Sequence, residues 1–351
     1  MRIAQISPLT ESVPPKLYGG TERVVSYLTE ALVDLGHDVT LFASGDSQTS
    51  AKLEAVWPQA LRLDPAIRDR YAPHMLMLEM VRRQADQFDV LHFHLDYYPF
   101  SLFNRQPTPF ITTLHGRLDL DEQQPVFDAF NKTPVISISD SQRAPLPQAH
   151  WINTVYHGLP EDLYRPQPVE QKYLAFMGRI SPEKRVDTAI RIAERCGMTI
   201  RIAAKVDAAD REYFEKEIKP LMDLPHVQFI GEIADHQKAE FLSGAHALLF
   251  PIDWPEPFGL VMIEAMACGT PVIAFRRGSV PEVIEHGVTG FIVEDATAAV
   301  AAVNRLHSLS RARVRECFEQ RFTSRRMAQE YVRSYEAIML KQRRTVLRVV
   351  E

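Results

Sequence analysis

Hydrophobic and polar positions divide this chain into short apolar runs alternating with segments of helical period. Arg2–Ser7 is a β-prone run, and a Pro/Gly loop from Pro8 to Gly20 follows it. Thr21–Leu32 then carries apolar residues at helical spacing. Gly36-His37 ends that helix as a glycine cap would, and Asp38–Ala43 returns as a strand. The segment is a βαβ unit. Val90–His94, Pro109–Leu114 and Pro134–Ser139 are predicted as further strands. Strands alternating with helices predict a parallel sheet with helices on both faces.

Around Leu159–Gln171 the pattern breaks into Pro160, Pro166 and Pro168 with Glu161, Asp162 and Glu170, the composition of an interdomain linker. A second series follows. Tyr173–Met177, Thr199–Ala203, Val227–Ile230, Ala247–Phe250, Pro271–Ala274 and Gly290–Val293 are predicted strands, with a helix over Arg185–Arg195. An amphipathic helix from about Ser324 to Leu340 closes the pattern. At 351 residues the chain is long for one core. Two doubly wound Rossmann-like α/β domains are expected, over residues 1–165 and 166–322, with 323–351 as a helix packing back towards the first domain plus a tail. Ligands of open parallel sheets bind beyond the carboxyl ends of the strands. Two such sheets facing each other predict a ligand in the cleft between them.

Composition narrows the partners. The 40 Lys+Arg against 45 Asp+Glu give a net charge of −5, which offers no electrostatic footprint for nucleic acid. Arg82-Arg83 and the cluster Lys341-Gln342-Arg343-Arg344 with Arg348 are basic, and solvated faces or peripheral contact with an anionic membrane both fit. Cys196, Cys268 and Cys317 are widely spaced and form neither a metal motif nor a disulfide framework, so a reducing cytoplasm is expected. No apolar stretch approaches the length of a spanning helix.

Candidate chemistry lies at the strand ends. Gly19-Gly20 precedes the first helix and lets backbone approach a ligand at a helix N-terminus. Neither Gly-x-Gly-x-x-Gly nor a Walker motif occurs, which argues against a dehydrogenase or P-loop NTPase. Gly178-Arg179 and Lys184 place two cations around one strand-end loop, a spacing suited to pyrophosphate, although a local Glu183–Lys184 pairing would serve as well. His92-x-His94 puts two imidazoles on one side of a strand, and with no third ligand nearby a metal is not expected. His94 or Asp96 is placed to face a ligand. His115-Gly116 ends the next strand, the stretch Ser137–Ser141 fits a helix cap, and His157 fits a structural role. The most specific segment is Trp254–Pro271. It sets Glu256 in a Pro-bounded loop and Glu264 among apolar residues, with a helix expected to start near Phe258-Gly259-Leu260-Val261. A carboxylate there is costly unless hydrogen-bonded or paired, by a ribose or by a core arginine.

Together these residues resemble the GT-B-fold glycosyltransferases of family 4, retaining enzymes that use nucleotide-sugar donors. The resemblance covers nearly the whole chain: Gly-Gly after the first strand, Gly-Arg…Glu-Lys opening the second domain, Glu-x7-Glu, Pro281–Ile284, Gly287–Phe291 and a terminal helix. It implies that Gly19 and Gly20 approach the donor diphosphate and that Arg179 and Lys184 neutralise the departing phosphates. Glu256 would bind donor-sugar hydroxyls, Phe258, Gly259, Leu260 and Val261 would give main-chain contacts, and Glu264 would hold the ribose. His115 would line the reaction centre, with Asp96 and Arg117 on the acceptor side. Departures from the family are Arg185 where Gly is usual, Ala203–Asp207 in place of a Gly-rich turn, and His157 where Asn is common. Lys205 is the candidate substitute for the missing turn.

The expected reaction is metal-independent hexosyl transfer with retention and no cofactor beyond the donor, for which UDP-glucose is the first guess. Two rivals stand beside it: a sugar-nucleotide 2-epimerase of similar fold and a non-catalytic sugar-nucleotide-binding protein. The acceptor, whether sugar, lipid or small metabolite, is expected near Pro14–Tyr18, Asp96–Tyr98 and Arg117.

Overall fold

The computed structural model describes residues 1–16 and 19–350, with side chains through Lys341. The expected acceptor contacts at Leu17 and Tyr18, and the basic side chains from Gln342 to Arg348, lie outside the described residues. Two compact units divide the chain: Met1–Gly158 together with the segment from Ser324, and Leu159–Thr323.

The first unit is built on seven strands: β1 (Arg2–Ile6), β2 (Asp38–Ser44), β3 (Lys52–Trp57), β4 (Val90–Phe93), β5 (Phe110–Thr113), β6 (Pro134–Ser137) and β7 (His150–Thr154). They lie in the order β3-β2-β1-β4-β5-β6-β7, and every pairing is parallel. Apolar residues of the central strands, among them Ile6, Phe42, Leu91 and Phe93, are fully buried. Strands β3 and β7 were not anticipated. Both are sheet edges whose residues are mostly half-buried or exposed, so neither needs the apolar run that marks a central strand.

Strand order reverses between β1 and β4, the position where open α/β sheets bind ligands. Gln5 of β1 is in register with His92 of β4 there. The terminal helix, Ser324–Val350, runs beyond its expected end and belongs to this unit, burying Tyr331 and Tyr335 against the His92 ring at centroid distances of 4.8 and 5.6 Å. Arg82 and Arg83 both bond Glu79, at 2.7 and 2.8 Å, as exposed pairs one helical turn apart.

The second unit holds six parallel strands: β8 (Tyr173–Arg179), β9 (Ile200–Lys205), β10 (Val227–Gly231), β11 (Ala245–Phe250), β12 (Val272–Phe275) and β13 (Gly290–Val293). Their order is β10-β9-β8-β11-β12-β13, reversing between β8 and β11. The unit begins earlier than the linker composition suggested. Leu159 donates to the Phe322 carbonyl at 2.9 Å, and buried Tyr164 donates to Asp235 at 3.0 Å. Arg315 donates to the carbonyls of Tyr164 and Glu161 at 2.7 and 2.8 Å. These bonds strap residues 159–165 to the second unit, where the first had been expected to keep them. Among the described residues no helix is long and apolar enough to cross a membrane.

Candidate active site

In the second unit the candidate side chains gather at the carboxyl ends of the strands flanking the reversal. Arg179, the last residue of β8, donates to Glu183 at 2.7 Å and lies 3.4 Å from Asp210. Lys184 is ion-paired with Glu256, although 72 residues separate them. The Trp254 indole N–H donates to the same Glu256 oxygen at 2.9 Å, and the Lys184 ammonium sits 5.1 Å from the Trp254 ring centre. A local Glu183–Lys184 pair is thus not what forms: Glu183 serves Arg179, and Lys184 serves Glu256.

The loop carrying Glu256 is shaped from behind by a segment that sequence reasoning passed over. Ser279 donates its backbone N–H to the Glu256 carbonyl at 3.0 Å and its hydroxyl to the Phe258 carbonyl at 2.9 Å. Gly278 has φ +51°, and a β-carbon there would overlap the Glu256 backbone. Gly259, at φ +76°, turns the chain into the helix Leu260–Ala267 while Phe258 stays buried. That start leaves the first-turn amides, including those of Leu260 and Val261, without intrahelical acceptors. The turn can therefore take an anion.

Glu264 lies in the second turn of this helix and is buried. Its partner is a lysine, and no ligand or arginine is required: Lys238 of the helix Asp235–Ser243 bonds it at 2.8 Å and also lies 3.1 Å from Asp235. Lys205, at the end of β9, pairs with Asp207 at 2.9 Å. Arg185 occupies the left-handed region at φ 54°, ψ 48°, which explains why glycine suits this position. Its guanidinium bonds Asp187 at 3.1 Å and Asp253 at 3.3 Å.

In the first unit the two glycines separate in role. A β-carbon on Gly19 would lie 2.8 Å from Pro15, whereas Gly20, the first residue of the helix Gly20–Asp34, faces open space. His94 and His115 follow β4 and β5, and their rings meet with Nδ1 of His94 2.9 Å from Nε2 of His115. His157 stacks on His115 at 5.4 Å between centroids, so it joins this cluster. Burial pushes the His115 imidazole down to about 3 and holds His92 and His94 well below the ordinary histidine range. Asp96 is exposed and sits at φ 48° just past β4. Arg117 spends its fork on Asp119, at 2.7 and 2.8 Å. Ser139 caps a helical turn by accepting the Gln142 N–H at 3.0 Å. Among the described residues no group of three or more His, Cys, Asp or Glu is arranged to hold a metal ion.

Sequence reasoning missed Gln5, Trp254, Lys238, Gly278 and Ser279. Only Gln5 carried a signal, as a polar residue inside an apolar strand; the others matter through contacts far apart in the chain.

Comparison with known proteins points to one family and fold. The family model described as Glycosyl transferases group 1 matches residues 164–321, and that described as Glycosyltransferase Family 4 matches residues 18–175. N-acetyl-alpha-D-glucosaminyl L-malate synthase of Bacillus anthracis is 25% identical, covering 90% of this chain and 93% of its own length. AviGT4, a glycosyltransferase involved in avilamycin A biosynthesis, shares the fold with TM-score 0.75 at 24% identity, over 97% of this chain and 98% of that one. HepE of Anabaena, solved with UDP and glucose, shares it with TM-score 0.74 at 19% identity, over 96% and 100%. The epimerase and non-catalytic readings are not favoured by these matches. With one model on each half and both sheets in place, the chain belongs to the GT-B-fold glycosyltransferases of family 4.

Proposed function

We propose that this glycosyltransferase moves a hexosyl group from a nucleotide diphosphate sugar to an acceptor hydroxyl with retention and without a metal, and that UDP-glucose is the donor to test first. The observation that carries the reading is the pairing of Lys184 with Glu256 beside the amide-bearing start of the helix Leu260–Ala267. The cations suited to phosphate, Arg179 and Lys184, are paired with carboxylates. A diphosphate would displace those carboxylates as counter-charge. Glu256 would then be released to accept hydrogen bonds from sugar hydroxyls, and Glu264 would accept from the ribose.

Catalysis follows from charge. The bond between the anomeric carbon and the phosphate oxygen breaks, and Arg179, Lys184 and the helix start stabilise the charge left on the phosphate. The acceptor oxygen bonds to the same face of the anomeric carbon, and its proton passes to the departing phosphate. In this scheme the two cations do the work a divalent metal would otherwise do. His115 lines the reaction centre, with Asp96 and Arg117 on the acceptor side. HepE, solved with UDP-glucose, supports the donor choice, and the malate synthase makes a small metabolite a reasonable acceptor class beside sugars and lipids. A cytoplasmic site of action fits a cytosolic donor pool.

The test is turnover of UDP-, GDP- and ADP-sugars in the presence of EDTA, followed by mass spectrometry. Lys184→Ala and Glu256→Ala should each abolish donor turnover. Unchanged turnover in both would sink the site assignment.

A further inference from the structure

A chain of buried hydrogen bonds runs from the terminal helix through the centre of the first sheet to His115. Tyr335 Oη lies 2.7 Å from His92 Nδ1 and accepts from Gln5 Nε2 at 3.1 Å. Gln5 Oε1 lies 2.8 Å from His94 Nε2, and His94 Nδ1 lies 2.9 Å from His115 Nε2. On the far side, His92 Nε2 meets Thr113 Oγ1 at 2.7 Å, and Thr113 meets Tyr331 at 3.0 Å. The other His115 nitrogen, Nδ1, is buried and has no hydrogen-bond partner among the described residues.

The proton positions follow. An amide oxygen only accepts, so His94 Nε2 must carry a hydrogen. Held neutral by burial, His94 then offers Nδ1 as an acceptor, and His115 must donate from Nε2. That leaves His115 Nδ1 as a bare lone pair. Amide orientation is assigned from the network, and the network decides it. Turning the Gln5 amide over would reverse both rings and leave a buried N–H on His115 Nδ1 with nothing to bond. Orphaned buried donors are rarer than under-used acceptors. In this orientation the Gln5 NH2 group donates to Tyr335 Oη and lies 3.3 Å from His92 Nδ1.

We propose that Gln5 and His94, backed by Tyr335, are positioning residues that lock His115 in the Nε2–H tautomer with Nδ1 free to accept a hydrogen bond from a substrate hydroxyl. The inference rests on the reading of His115 as a site residue. It gives the terminal helix a role in the site of its own unit: Tyr335, 330 positions from Gln5, governs a ring it does not touch.

Selective 15N labelling of histidine, with long-range 15N–1H correlation spectra, tests this on the intact protein without substrate. Wild type should show His115 protonated at Nε2 only; protonation at Nδ1 would overturn the proposal whatever the activity. Gln5→Met should give a mixture of His115 tautomers and lower kcat for donor turnover at least tenfold at nearly constant KM. If Gln5→Met does not fold, Tyr335→Phe carries the same expectation. His94→Asn, whose amide oxygen can replace Nδ1 as acceptor, should retain far more turnover than His94→Phe. Equal losses in those two variants, or an unshifted tautomer in Gln5→Met, would reject the relay while leaving glycosyl transfer intact. Wild-type turnover in His115→Ala would instead reject His115 as a site residue.

Discussion

Lys238 bonds the buried carboxylate of Glu264 at 2.8 Å from a neighbouring helix, so the acid assigned to the donor ribose already has a counter-charge. Removing one partner of such a pair strands the other, at a cost of about 3–5 kcal/mol. Lys238→Ala is expected to lower stability by about 3 kcal/mol. Combining it with Glu264→Gln should recover at least half of that loss in urea unfolding. A double variant as unstable as the sum of the singles would show that the pair is not coupled.

The glycines predict two opposite signatures. Gly278→Ala forces a side chain into the Glu256 backbone at a positive φ, so both stability and donor affinity should fall, stability by about 2 kcal/mol or more. Gly20→Ala meets open space and should leave stability within about 0.5 kcal/mol of wild type. If Gly20 approaches the diphosphate, turnover should nevertheless drop. Melting curves and donor turnover on the two variants separate packing from function.

Acid should unfold the first unit early. His92, His94 and His115 are held neutral by burial, whereas in the unfolded chain each ring takes a proton at about pH 6.5. The unfolded state binds the extra protons, so stability falls as pH drops below about 6.5, and for His115 it keeps falling towards its folded value of about 3. At pH 5.5 each ring costs about 1.4 kcal/mol, or about 4 kcal/mol for three. Denaturant unfolding at pH 7.5 and 5.5 measures it. His92→Gln, which cannot titrate, should flatten the dependence.

Arg185 supplies a sharper test of backbone strain. Its left-handed conformation costs a non-glycine residue about 1 kcal/mol, while its ion pairs with Asp187 and Asp253 are partly exposed and worth less. Arg185→Gly should therefore be neutral or stabilising by up to about 1 kcal/mol. Arg185→Val, β-branched in the same conformation, should destabilise. A clear loss of stability in Arg185→Gly would mean that the ion pairs outweigh the strain.

Much of this was legible in the chain because local pattern carries it. Central strands such as β1, β4 and β11 are apolar runs between turn residues, and the Gly36 stop and the Ser139 cap are local chemistry. The edges β3 and β7 were not legible, since a strand with one neighbour and a solvated face need not be apolar. Candidate residue types were visible too: Glu256 and Glu264 as carboxylates in an apolar segment, Arg179 and Lys184 as two cations across one strand-end loop. Their partners were not. Lys184 with Glu256, Lys238 with Glu264 and Gln5 with Tyr335 meet only through the folding of distant strands and helices. The Pro-rich stretch after Gly158 misled because its bonds to Asp235, Phe322 and Arg315 leave no trace in local composition.

In the proposed metal-independent clamp for a nucleotide sugar, Lys184 and Glu256 exchange each other for the donor. Calorimetric titration of UDP-glucose in EDTA, on wild type, Lys184→Ala and Glu256→Ala, tests it most directly. Saturable binding by wild type is predicted, with affinity lost at least tenfold in both variants although each still melts cooperatively. Binding of equal strength in all three proteins, or binding only when a divalent metal is added, would contradict it.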